Sequence, residues 1–340
     1  MIDLVIAGGG PAGLATALAA ARLGLETVVV ERRQAPIDKA CGEGLMPHTV
    51  RHLAALGVRP DGVPFRGVAY LDGRRRVSAT FDDGPGLGVR RTTLHQAMLD
   101  AADAAGIRVI GGSVDTIEQR PDSVSVNGFR ARYLAAADGL HSPIRTQLGL
   151  QRPAGGRRRW GLTRHVGVTP WTDRVEVYWA AEPDAGEAYV TPVADDCVGI
   201  AILTSRRGGF DDHLGAFPAL RERISGSVHG SDRAAGPLRQ RVARRVAGRV
   251  MLVGDAAGYV DALTGEGLGL SFAAARALAE CVATDRPAAY ERLWRRSTRR
   301  YRLMTSMMVR ASASPLRRAI VPAAHGLPTV FGRAVNLLAE

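Results

Sequence analysis

Ile2, Leu4, Val5 and Ile6 form a short apolar run that leads directly into glycines, and the pattern predicts a buried strand. Ala12 to Leu23 follows with helical spacing, and Thr27 to Val30 is a second apolar run. Strand, helix and strand within about 30 residues predict a βαβ unit on a parallel sheet. A helix from Met46 to Leu56 and two short strands near Val68–Leu71 and Val77–Phe81 come next. Thr92 to Ala105 is amphipathic, with Leu94, Met98, Leu99 and Ala102 on one face. Strands near Arg108–Ile110, Ser123–Val126 and Tyr133–Ala136 return to the sheet.

The texture changes near Gly149. Residues 151–159 are rich in Pro, Gly and Arg and read as a linker or rim. From Trp160 to Thr204 the alternation is that of strands, with Val175–Trp179, Ala188–Val193 and Val198–Leu203 as members of an antiparallel sheet. Arg249–Val253 is again a buried strand, followed by glycines and a long helix, Ser271–Val282. The expected architecture is α/β: a Rossmann-like domain of residues 1–150 plus 239–285, an inserted β-rich domain of residues 151–238, and a C-terminal helical region of residues 286–340.

Composition narrows the function classes. At 340 residues, 46% hydrophobic and 23% charged, the chain is an ordinary globular one and not a disordered or fibrous one. The net charge of +12 is almost entirely arginine, Lys39 being the only lysine. Aromatic residues are only 5%, and neither a nucleic-acid motif nor a stacking platform is present, so nucleic acid is not an expected partner. Cys41, Cys197 and Cys281 lie too far apart for a metal site or a disulfide framework, which fits a reducing cytoplasm. The run Ile2–Ala7 is too short for a secretory signal, and no window is apolar enough for a spanning helix.

Gly8-Gly9-Gly10-Pro11-Ala12-Gly13 sits between a strand and a helix, where a G-x-G-x-x-G string cradles a pyrophosphate. Gly8 permits the turn, Gly10 lets the phosphate approach backbone, and Gly13 lets helix and strand pack closely. The helix N-terminus offers its unpaired N–H groups to the anion. Glu31 ends the second strand, where a carboxylate grips a ribose diol and repels a 2′-phosphate; FAD or NAD is therefore expected, not NADP. Two further segments draw notice. Asp138-Gly139-Leu140-His141-Ser142-Pro143-Ile144-Arg145 reads as a strand end and a capped helix. Gly254-Asp255-Ala256-Ala257-Gly258 places a carboxylate at a strand end, and Gly265-Glu266-Gly267-Leu268-Gly269-Leu270 opens a second glycine-rich helix.

Taken in order, these three segments resemble the FAD-dependent monooxygenase and geranylgeranyl reductase superfamily, flavoproteins of the para-hydroxybenzoate hydroxylase type, over residues 1 to about 285. The resemblance implies FAD, held at the pyrophosphate by Gly8, Gly10, Pro11, Ala12 and Gly13 and at the ribose by Glu31 and Arg32. It also implies that Asp138 and Gly139 touch FAD and its nicotinamide donor, that Asp255 binds the ribityl chain, and that Gly265, Gly267 and Leu268 face the pyrimidine end of the flavin. Arg91 and Val114 match positions near the ribityl chain and the adenine. No second dinucleotide motif follows, so NADH or NADPH is expected to bind transiently.

Within the superfamily the sequence points two ways. Lys39-Ala40-Cys41-Gly42-Glu43-Gly44 and Gly265-Glu266-Gly267 look like geranylgeranyl reductases, and Gly269 stands where hydroxylases often carry Asn. The stretch from Arg159-Trp160-Gly161-Leu162 to Tyr189-Val190-Thr191-Pro192-Val193 is similar to short FAD monooxygenases of polyketide tailoring in secondary metabolism. The expectation is an NAD(P)H-driven monooxygenase that hydroxylates a hydrophobic or phenolic small molecule through a flavin C4a-hydroperoxide. A double-bond reductase is the alternative, and a non-catalytic flavin sensor a third. The Trp-x-Trp-x-Ile-Pro string of halogenases is missing. Cys41, His165 and Tyr189 are the candidate catalytic side chains, Cys41 lying near the flavin if the reductase resemblance holds, and no metal site is expected. The segment from Tyr290 onward carries ten arginines against two acids, Glu291 and Glu340, which suggests either a helix packed on the FAD domain or peripheral contact with an anionic membrane.

Overall fold

The computed structural model describes residues 1–339. Five parallel strands form the centre of the first sheet, in the order Val250–Leu252, Phe129–Ala136, Ile2–Ala7, Thr27–Glu31 and Arg108–Gly111. Thr27–Glu31 is buried at every position, as a parallel strand under crossover helices must be. Helix Pro11–Ala21 packs between helices Arg91–Ala104 and Gly267–Ala283. Small residues make this close approach possible: a Cβ at Gly13 would sit 1.8 Å from the Gly8 carbonyl oxygen.

The second sheet has seven strands, in the order Arg233–Ala235, Trp160–Gly167, Cys197–Thr204, Glu187–Ala194, Val175–Trp179, Gly67–Leu71 and Arg76–Thr80. Its last two members correct the expected boundary, because they come from inside residues 1–150. Gly67–Leu71 lies parallel to Val175–Trp179, and Arg76–Thr80 pairs antiparallel outside it. The physical reason is visible in Arg76–Thr80, which alternates exposed and buried positions. That is the pattern of a half-buried edge strand, not of a parallel strand covered on both faces. The chain passes from the first sheet to the second and back side by side, where Gln151–Arg152 pairs with Arg241–Val242.

Helix Pro287–Ser312 lies on Gly267–Ala283, whereas helices Arg317–Gly326 and Pro328–Ala339 cover the edge strand Arg76–Thr80. Arg317 anchors this cover. Its guanidinium is buried and donates to the Ala180 carbonyl at 2.8 Å and to Glu187 at 3.2 Å. Phe331 meets Tyr70 with ring centroids 4.9 Å apart. No helix among the described residues is long and apolar enough to cross a membrane.

Candidate active site

The glycine loop is set by side chains from two elements, strand Thr27–Glu31 and helix Arg91–Ala104. Gly8 has φ +107°, and a Cβ there would lie 2.5 Å from the Ala137 carbonyl oxygen, so only glycine fits. Glu31 accepts from the Gly9 N–H at 2.7 Å and from the Arg33 N–H at 2.8 Å. His95 accepts at Nδ1 from the Ile37 N–H at 3.2 Å and so donates from Nε2 to the Gly9 carbonyl at 2.8 Å. Burial lowers the His95 pKa and keeps it neutral. At Gly10 the space is open, and the nearest atom to a hypothetical Cβ is the Arg91 Nη2 at 3.9 Å. Arg91 is buried, and its Nε has no partner.

These features meet at one end of a cavity of about 280 Å³. Gly10, Pro11, Ala12, Arg91, Gly139, Asp255, Gly265, Gly267 and Leu268 line that end. Asp255 lies on a short 3-10 turn, Gly254–Ala257, directly after strand Val250–Leu252. Arg145 fixes the turn from behind, donating to the carbonyls of Ala256 at 3.0 Å and Leu140 at 2.8 Å. Lys39 pairs with Asp255 at 3.3 Å. An open backbone cradle at Gly10, facing a buried guanidinium with an unpaired Nε, is what a pyrophosphate anion requires.

Residues 1–311 match the profile of the family described as FAD binding domain. The chain belongs to the FAD-binding-domain family. It falls within the superfamily of FAD-dependent monooxygenases and reductases, and it is an FAD-dependent oxidoreductase. A menaquinone reductase of Mycobacterium tuberculosis is 29% identical over 327 residues, covering 82% of this chain and 76% of that one. Digeranylgeranylglycerophospholipid reductase 1 of Methanothermobacter thermautotrophicus is 28% identical over 299 residues, covering 78% and 73%. Among solved structures, p-nitrophenol 4-monooxygenase from Pseudomonas putida shares the fold with a TM-score of 0.80 at 20% identity, covering 99% of this chain and 95% of that one.

Several residues expected at the cofactor of this FAD-binding-domain protein lie behind the cavity wall. Gly8, Gly13 and Glu31 shape the loop from inside, and Val114 packs partly buried against the first core. Asp138 turns away from the cavity and accepts from the Ile144 N–H at 3.1 Å, while its other oxygen is buried and unpartnered. Burial raises its pKa. Arg32 is exposed, and its neighbour Arg33 lines the cavity instead.

The other end of the cavity belongs to the second sheet. Val68, Val177, Ala201, Leu203, Leu263 and Val335 line it, with the hydroxyl-bearing Tyr70, Thr163 and Thr191 among them. Tyr189 lines it too, its hydroxyl donating to the Leu263 carbonyl at 3.0 Å. Burial raises the Tyr189 pKa well above the usual phenol value, so the group stays protonated. His165 does not line the cavity; its Nε2 lies 2.7 Å from the carboxylate of Glu43, which also accepts from the Arg91 N–H at 2.7 Å.

Cys41 also lines the cavity, and its neighbour Gly42 accepts from the Thr191 hydroxyl of the second sheet at 2.9 Å, so it stands at the seam between the two ends. Its Sγ accepts from the Glu43 N–H at 3.4 Å. Burial raises the thiol pKa, outweighing the opposing influence of Arg91. The turn that holds Gly265 and Gly267 is braced by Glu266, 2.8 Å from His48 Nε2, and His48 Nδ1 donates to the Ala339 carbonyl at 3.0 Å. Burial raises the Glu266 pKa, while for His48 the pairing with Glu266 overcomes the lowering by burial. A Cβ at Gly269 would lie 2.3 Å from His48 Nε2, so no side chain fits there while this pair is in place.

Proposed function

We propose that the protein reduces a carbon–carbon double bond in a hydrophobic, isoprenoid-like substrate, using NADH or NADPH as electron donor. Cys41 carries the reading: a half-buried thiol, kept protonated by a raised pKa, in the cavity wall between the phosphate cradle and the apolar end. Two electrons and two protons saturate a double bond. The nicotinamide donor supplies both electrons and one proton; the Cys41 thiol supplies the second proton and regains it from solvent.

FAD would relay the two electrons to the apolar end. Gly10 and Arg91 would hold its pyrophosphate, Asp255 its ribityl chain, and the Gly267 and Leu268 N–H groups the pyrimidine edge of its ring. Val68, Val177 and Leu203 would position the alkene and exclude water. The side chains at this end are apolar or neutral hydroxyls, which suits a reaction that consumes a proton better than one that needs a base. Gly269 supports the same reading, since His48 and Thr49 occupy the space of the residue hydroxylases carry there. The reductase relatives, which match most of the chain, add to it.

A hydroxylase is the second reading, favoured by Tyr70, Thr163 and Thr191, whose hydroxyls suit a phenol ring. The two separate in one assay with NADPH and a prenylated quinone, run without oxygen and then under ¹⁸O₂. The reductase reading expects product without oxygen whose prenyl chain stays heavier by two hydrogen atoms after the quinone ring is reoxidised, and that is free of ¹⁸O. Product that forms only with oxygen and carries ¹⁸O overturns it in favour of the hydroxylase.

A further inference from the structure

Among the described residues, six of the ten exposed large apolar side chains fall in one short part of the chain: Leu303, Met307, Leu316, Leu327, Val330 and Leu337. On helix Pro287–Ser312, Leu303 and Met307 share a stripe with the exposed Arg296, Arg299 and Arg310. The opposite face, with Trp294, Tyr301 and Thr305, is buried. On helix Pro328–Ala339, Val330, Arg333 and Leu337 face outward while Phe331 and Val335 face in. From Arg292 to Ala339 the sequence contains no Asp or Glu.

We infer that these helices dock the protein on an anionic lipid surface. Apolar side chains interleaved with arginines, without acids, match a headgroup layer with acyl chains beneath it. A second copy of the chain would bring two strongly positive surfaces together, and nucleic acid would leave the apolar side chains without a partner. Helix Pro328–Ala339 is also the wall between this surface and the cavity, because Val335 and Leu338 line the apolar end. A lipid-borne substrate would therefore meet the cavity wall at the docking surface. The docking itself needs neither substrate nor electron donor, so it stands or falls apart from the proposed reaction.

The test is flotation of the FAD-loaded protein with phosphatidylglycerol vesicles and, separately, with phosphatidylcholine vesicles. Binding to the anionic vesicles should be at least about tenfold tighter than to the neutral ones and should weaken as salt rises. The double variant Leu303→Ser/Met307→Ser should lose about tenfold in vesicle affinity while keeping its FAD, which shows it folded. Three results overturn the inference: no binding to either vesicle, equal binding to both, or a doubled solution mass that the same two substitutions abolish.

Discussion

At the glycine end of the cavity the wall is backbone and charge, while at the sheet end it is side chains. Gly10, Gly267 and Asp255 sit on loops that leave the ends of parallel strands or open helices, where N–H groups and carboxylates point into a crevice by geometry alone. Val68, Val177, Ala201 and Leu203 come from three strands of the second sheet and meet only after its pairing is complete. The first end can recognise a charged group common to many proteins, and the second can select a hydrophobic shape. Cys41 lies where the two touch, and four experiments can separate them.

The largest effect belongs to the seam. In Cys41→Ala, alkene reduction should slow by about 10²–10⁴-fold, the usual contribution of a positioned acid. FAD content and flavin reduction by NADPH should be unchanged. Stopped-flow measurement of both half-reactions checks this, and an equal loss in the two halves would reduce Cys41 to a packing role.

Next comes the charged end. Arg91→Met should weaken FAD binding by about 1.5–3 kcal/mol, the worth of hydrogen bonds to a charged group. The protein without cofactor should be no less stable, because it loses a buried guanidinium whose Nε is unpartnered. Fluorescence titration with FAD and thermal melting of the cofactor-free protein test the two halves of this statement.

The apolar end should respond in the opposite way. Ala201→Phe fills the cavity from the strand Cys197–Thr204 and should cost about 1–3 kcal/mol in substrate binding. FAD affinity should not change. An altered FAD affinity would mean that the two ends are not independent.

The smallest effect is in pH. Burial raises the Cys41 thiol above the usual 9.0, so the protonated form persists through neutral and mildly alkaline solution. The rate of alkene reduction should be flat up to about pH 9 and fall only above it, as the acid is lost. A pH–rate profile that already falls near neutrality would contradict this assignment.

The glycine-rich end of the cavity was legible in the sequence because its parts are local. Gly8 to Gly13, Asp255 and Gly267 announce themselves by glycine spacing beside strands and helices. Arg33 and Lys39 line that end too and His95 braces its loop, but nothing in their neighbourhoods says so, since each reaches the place through the fold. His48 is hidden for the same reason: its partners, Glu266 and Ala339, lie far along the chain. The strands at 67–71 and 76–80 were visible, yet their place in the second sheet was not, because short strands carry no record of which edge they join. Val335 and Leu338 read as part of a basic tail, and only packing makes them cavity wall.

The most direct test of the account mixes enzyme whose FAD has first been reduced with a polyprenyl lipid that has no quinone ring, in the absence of oxygen. The account predicts that the yellow colour of oxidised FAD returns at the rate at which the substrate gains two hydrogen atoms, and that Cys41→Ala slows both together. Colour that returns only when oxygen is admitted would contradict it.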